Sequence, residues 1–129
     1  MYRWVEHTGE LELAIGARCE REVFADALAA LIELLQLDGD ADEERAIEAT
    51  AADRPALLAA WLEELVFAAE VDGFEPLAVR ELELGPDSVR AVVEGHYGEP
   101  SPLVKAVTYH RLAFEPADSG YRATVVLDV

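Results

Sequence analysis

Lysine is almost missing from this chain. Lys105 is the only one, beside nine arginines and 27 aspartates and glutamates, which leaves a net charge of −17. Such a surface repels nucleic-acid backbones and anionic membranes at long range, so direct binding of RNA or DNA by this chain alone is not expected. Cysteine is equally scarce. One residue, Cys19, excludes an internal disulfide and any cysteine-based zinc site, and is expected to be a small, partly buried hydrophobe. No apolar run approaches the roughly 20 residues of a membrane-spanning helix. The opening residues Met1 to His7 have no apolar stretch like that of a secretion signal, so a cytoplasmic protein is expected. Also absent are Gly-x-x-x-x-Gly-Lys, Gly-x-Gly-x-x-Gly and Gly-x-Ser-x-Gly, which removes the usual phosphate cradles and the nucleophile elbow. Three histidines, His7, His96 and His110, are too scattered for a zinc site.

The chain has 129 residues and 52% apolar content, enough for one domain (residues 1–129) with a real core. From Glu10 to Ala17 apolar and polar residues alternate, Leu11, Leu13 and Ile15 against Glu10, Glu12 and Ala14, as in a half-buried strand. The spacing of Phe24, Leu28, Leu31 and Leu35 predicts a helix over Glu20 to Leu37. A short strand follows over Arg45 to Ala51. Asp53 then caps a second helix with Pro55 in its first turn, and Leu58, Trp61, Leu62, Leu65, Val66 and Ala69 form its stripe. The rest reads as strands over 77–84, 89–97, 104–115 and 121–129, with turns at Gly85 to Ser88 and Pro116 to Gly120. The order predicts an α+β fold: two helices packed on one face of a mostly antiparallel sheet that ends in a meander.

The acidic run Asp38 to Glu44 alternates carboxylates like a calcium loop, but Glu43 and Ala49 stand where that loop needs glycine and glutamate, so it reads as a solvated loop. The two chain ends carry more. Glu10 opens the first long strand. Asp128 closes the last one, and Val129 adds a terminal carboxylate if nothing is appended. Were those strands neighbours, three oxygen-bearing groups would converge, a donor set that suits a hard cation such as Ca²⁺ or Mg²⁺. Lys105 offers a compact ammonium that can contact phosphate or a carboxylate, on the face it shares with Val107 and Tyr109.

Glu6-His7-Thr8, Leu57-Leu58 with Trp61 to Leu65, Tyr97-Gly98-Glu99, the run Val104-Lys105-Ala106-Val107-Thr108-Tyr109-His110 and the closing Asp128-Val129 together resemble the archease family, in order and over essentially the whole chain. The resemblance implies a small α+β protein that is not itself an enzyme. It would activate an RNA ligase of the RtcB family, promoting ligase guanylylation and repeated turnover in tRNA splicing and RNA repair. It implies Glu10, Asp128 and Val129 as ligands of a divalent metal, Ca²⁺ first and Mg²⁺ or Mn²⁺ as alternatives. Lys105, His7, Tyr109 and His110 become the candidates for ligase activation or partner contact. Two departures stand out. The family pattern His-Thr-Ala-Asp reads His7-Thr8-Gly9-Glu10 here, and Pro100 to Leu103 is shorter than the loop that many relatives carry. The rival readings are a general chaperone or adaptor for nucleic-acid-modifying enzymes, a metal-dependent hydrolase built on the same carboxylates, and a structural domain whose acidic tip does nothing.

Overall fold

The computed structural model describes residues 1–100 and 103–129. Seven strands and two helices follow one another: β1 (Tyr2–His7), β2 (Glu10–Ala17), α1 (Glu20–Leu34), β3 (Glu43–Thr50), α2 (Arg54–Glu70), β4 (Phe74–Leu84), β5 (Ser88–Tyr97), β6 (Ala106–Ala117) and β7 (Gly120–Asp128). The α+β class holds and every pairing is antiparallel. The strands divide between two sheets instead of forming one: β1-β2-β7-β6 and β3-β5-β4. The expected meander is likewise two hairpins. β4 pairs with β5 and β6 with β7, but β5 and β6 lie in different sheets. Each helix touches both sheets, so the helices form the layer that joins them.

Alternation fixes β2 as expected. Leu11, Leu13 and Ile15 oppose Leu127, Val125 and Ala123 on the core face, while Glu10, Glu12 and Ala14 face outward. The helix α1 stops at Leu34, earlier than its apolar spacing suggests. Gln36 takes a left-handed conformation (φ 55°), and the Gln36 and Leu37 amides donate back to Glu33 and Ile32 at 3.1 Å each. That Schellman-type closure ends the helix before Asp38-Gly39 is reached. Asp53 does cap α2, accepting from the Ala56 amide at 2.9 Å. Trp61 is fully buried, and its indole N–H donates to the Phe24 carbonyl of α1 at 3.0 Å, tying the helices together.

Two local expectations need correction. Cys19 is exposed and occupies the N-cap position of α1 without a side-chain capping bond. The residues before Glu10 form a strand, β1, that charged and polar Arg3, Glu6 and His7 conceal in the sequence. Tyr2 and Trp4 oppose Ile15 and Leu13 and are half-buried against the core. Thr8-Gly9 makes the two-residue turn of this hairpin, and Gly9 has φ 72°, where a side chain would be strained. The shortened stretch Pro100 to Leu103 includes Ser101 and Pro102, which lie outside the described residues.

Candidate functional site at one end of the four-stranded sheet

Register, not proximity in sequence, assembles this site. Because β2 and β7 pair antiparallel, Glu10 lies directly opposite Asp128. His7 opposes Glu10 on one side and Ala106 opposes Asp128 on the other. Paired residues project from the same face. One row across the outer face therefore reads His7, Glu10, Asp128, Ala106. The end of the row is tied down by backbone bonds: the Val129 amide donates to the Gly9 carbonyl at 3.2 Å and the Lys105 amide to the Asp128 carbonyl at 2.7 Å.

A second row lies one step along the strands and contains Glu12 opposite Val126. Val126 is fully buried although it points away from the core. A large bulge in β6 accompanies it. Thr108 pairs with Val126 and Ala113 with Thr124, so the four residues Tyr109 to Leu112 stand against Val125 alone. Arg111 within the bulge has φ 56°, a left-handed conformation that costs an arginine energy. The excursion swings two side chains across β7 towards β2. Arg111 Nε–H donates to Glu12 Oε1 at 2.9 Å, and Arg111 Nη1 stands 3.4 Å from His110 Nε2. The other ring nitrogen, His110 Nδ1, is 3.8 Å from Glu10 Oε2. His7 Nε2 stands 3.5 Å from Glu12 Oε1. Two carboxylates of β2 are thus flanked by one imidazole each, and Arg111 links Glu12 to His110.

Five of the residues singled out in the sequence come together here: Glu10, Asp128, Val129, His7 and His110. Tyr109 does not turn towards the pair. It stands at the start of the bulge, 61% exposed. Lys105 joins the site only through its backbone. It precedes the strand by one residue, shares a face with Val107, and lines a groove against α2 with Val66, Phe67 and Val71. Lys105 takes part in no ion pair among the described residues. Arg111 and Glu12 were not singled out. Glu12 was legible as the next outward residue after Glu10, whereas nothing in Val-Thr-Tyr-His-Arg-Leu announces a bulge.

The oxygen donors at the row's end are two carboxylates in register and the main-chain oxygen of Val129, with the His110 and His7 imidazoles beside the carboxylates of β2. The oxygen donors fit a hard cation. The protein side chains alone do not complete a cage. Among the described residues no three His, Cys, Asp or Glu side chains gather so as to hold a metal ion. Any cation here must draw its third ligand from the main chain and the remainder from water or a partner.

An α+β protein whose two antiparallel sheets are joined by a helix pair, with an acidic row at one sheet end, is the class that this fold and site define. Among the described residues no helix is long and apolar enough to cross a membrane. The archease protein family matches residues 2–129, and the chain belongs to that family. It is 34% identical to the protein archease of Methanosarcina acetivorans over 139 residues, covering 99% of this chain and 95% of that one. It is 36% identical to the protein archease of Methanopyrus kandleri over 135 residues, with 97% and 96% covered. Among solved structures, the solution structure of protein 1598 of Methanobacterium thermoautotrophicum superposes with a TM-score of 0.73 at 28% identity, over 99% of this chain and 98% of that one. The crystal structure of a Thermotoga maritima archease, titled a possible chaperone, gives a TM-score of 0.73 at 19% identity and supports the fold.

Proposed function

We propose that the chain activates an RNA ligase of the RtcB type, promoting guanylylation of the ligase and its repeated turnover in tRNA splicing and RNA repair, in the cytoplasm and without being an enzyme itself. The observation that carries this reading is the registered pair Glu10 and Asp128 at a sheet end. Family membership supplies the context.

Two like charges directly across a ladder repel one another. A pair kept in that arrangement is poised for a cation. Glu10, Asp128 and the Val129 main-chain oxygens would hold a divalent ion, Ca²⁺ being the best match to an all-oxygen set and Mg²⁺ or Mn²⁺ the alternatives. Bound there, the ion would supply positive charge for a nucleotide phosphate or a ligase carboxylate. The chain's own residues do the rest. His110 and His7 flank the carboxylates of β2 and limit how far they turn. Arg111 holds the bulge over β7. Lys105, which the Asp128 carbonyl anchors through its backbone, would present its exposed ammonium on the α2 side of the sheet end to a phosphate or a partner carboxylate.

Adding the purified protein to its cognate ligase under single- and multiple-turnover conditions tests this. Faster guanylylation and more than one ligation per ligase molecule are expected. A ligase that behaves identically with and without the protein would remove the proposal.

A second reading is a chaperone or adaptor for nucleic-acid-modifying enzymes, and exposed Phe67 and Val71 are the observation in its favour. An interaction screen separates the two. One dominant ligase partner supports activation, and many unrelated clients support chaperoning.

A further inference from the structure

The helix α2 carries more apolar surface than the core uses. Its core stripe includes Leu58, Trp61, Leu62, Leu65 and Ala69, all buried. A second stripe, Glu63, Val66, Phe67, Glu70 and Val71, runs at intervals of three and four residues on a neighbouring side. A helix that is apolar nearly all round belongs inside a protein. Here Phe67 is 52% exposed and Val71 60% exposed. Against them the segment leading into β6 brings Val104 and Lys105, and β6 itself brings Val107, which leaves a shallow groove of about 360 Å³. One wall is pinned to the helix. Glu70 accepts from the Leu103 amide at 2.6 Å and from the Val104 amide at 3.2 Å, holding the segment that leads into β6 against α2. With Glu70 so engaged, exposed Glu63 and exposed Lys105 remain as the charges of the groove.

We propose that this groove is a docking site for the ligase, separate from the acidic row. It would receive an apolar side chain that the ligase presents beside an arginine or lysine. The apolar side chain would pack on Phe67, Val66 and Val71, and the basic group would face Glu63. Charge complementarity argues for that occupant. An RNA ligase must present cationic surface to its polyanionic substrate, and this chain carries a net −17 with only Lys105 as a lysine. Continuity argues for it too, because Lys105 lines the groove while its backbone amide bonds Asp128 in the acidic row. Docking on the groove would present the row to the ligase in a fixed direction, so binding and stimulation reside in two adjoining surfaces. The proposal rests on ligase activation being the protein's function.

Phe67→Glu and Val71→Glu test it, alongside Asp128→Ala. Both groove positions are solvent-facing, so thermal melts close to wild type are expected, and two positions guard against one that misfolds. Affinity for the cognate ligase, measured by titration calorimetry, should fall at least about tenfold in each groove variant. Asp128→Ala should lose stimulation, and its loss of affinity for the ligase should be smaller than that of either groove variant. Folded groove variants that bind the ligase as wild type does overturn the docking site and leave the activation reading standing. A wild-type protein that neither binds nor stimulates the ligase overturns both.

Discussion

Arg111 donates to Glu12 at 2.9 Å across the intervening strand β7, from a backbone conformation (φ 56°) that arginine adopts at a cost. The bond and the strain belong together. The bulge that misplaces the backbone is what lets a residue of the edge strand β6 reach the outer face of β2. An exposed ion pair contributes at most about 1 kcal/mol, and Arg111 and Glu12 are 40% and 20% exposed. Relief of left-handed strain is worth about 1–2 kcal/mol, offset by about 0.4–1 kcal/mol of extra chain entropy when the new residue is glycine. Arg111→Gly should therefore exceed Arg111→Ala in stability by roughly 0.5–1 kcal/mol in urea denaturation. Equal stability of the two variants would show that the left-handed backbone is not maintained.

Asp128→Asn separates repulsion from cation binding. Without divalent ions it removes one of two opposed charges, so its stability in chelator should equal or slightly exceed that of wild type. With Ca²⁺ present at about one hundred times its dissociation constant, wild type should gain about 2.7 kcal/mol and the variant almost none. Parallel thermal melts in chelator and in Ca²⁺ read this directly. Equal Ca²⁺-dependent shifts in both proteins would place the cation elsewhere.

His96 ties three segments together away from the acidic row. Its Nε2 bonds the Glu75 carboxylate on β4, and its Nδ1 donates to the Asp40 carbonyl at 3.2 Å. Asp42 adds negative charge nearby, and a side chain at Gly39 would collide with the ring. The bond to Glu75 first, and the Asp40 carbonyl second, raise the imidazole pKa above its ordinary value. Folding stability from this contact is therefore complete below the unfolded value of about 6.5 and is lost as pH climbs through the higher folded value. The stability difference between wild type and His96→Gln, from denaturation at pH 5.5 and 8.5, should be larger at the acid end. A difference that does not change with pH would mean that His96 does not titrate against these groups.

Much of the fold was written in local patterns. Alternation at Leu11, Leu13 and Ile15 marked β2, helical spacing marked Phe24 to Leu31, and Asp53 marked the start of α2. The pairing that carries the candidate site, Glu10 with Asp128, was expected only as a condition for it, since residues at opposite ends of the chain meet through tertiary register. What stayed hidden has physical reasons. β1 alternates too weakly, because half of it faces water at a sheet edge. The split into two sheets depends on where the chain crosses between β5 and β6, and composition does not encode that. The bulge at Tyr109 to Leu112 is set by what the strand must pass over, so its consequence, Arg111 on Glu12, could not be read from spacing.

Guanylylation of the cognate ligase, timed with wild-type protein and with Asp128→Ala at equal concentration and in saturating divalent cation, tests the account most directly. The account predicts that wild type accelerates formation of the ligase–guanylate adduct and that the variant leaves the rate near that of ligase alone, while still binding the ligase. Full acceleration by Asp128→Ala would contradict it, because the carboxylate pair at the sheet end would then have no part in activation.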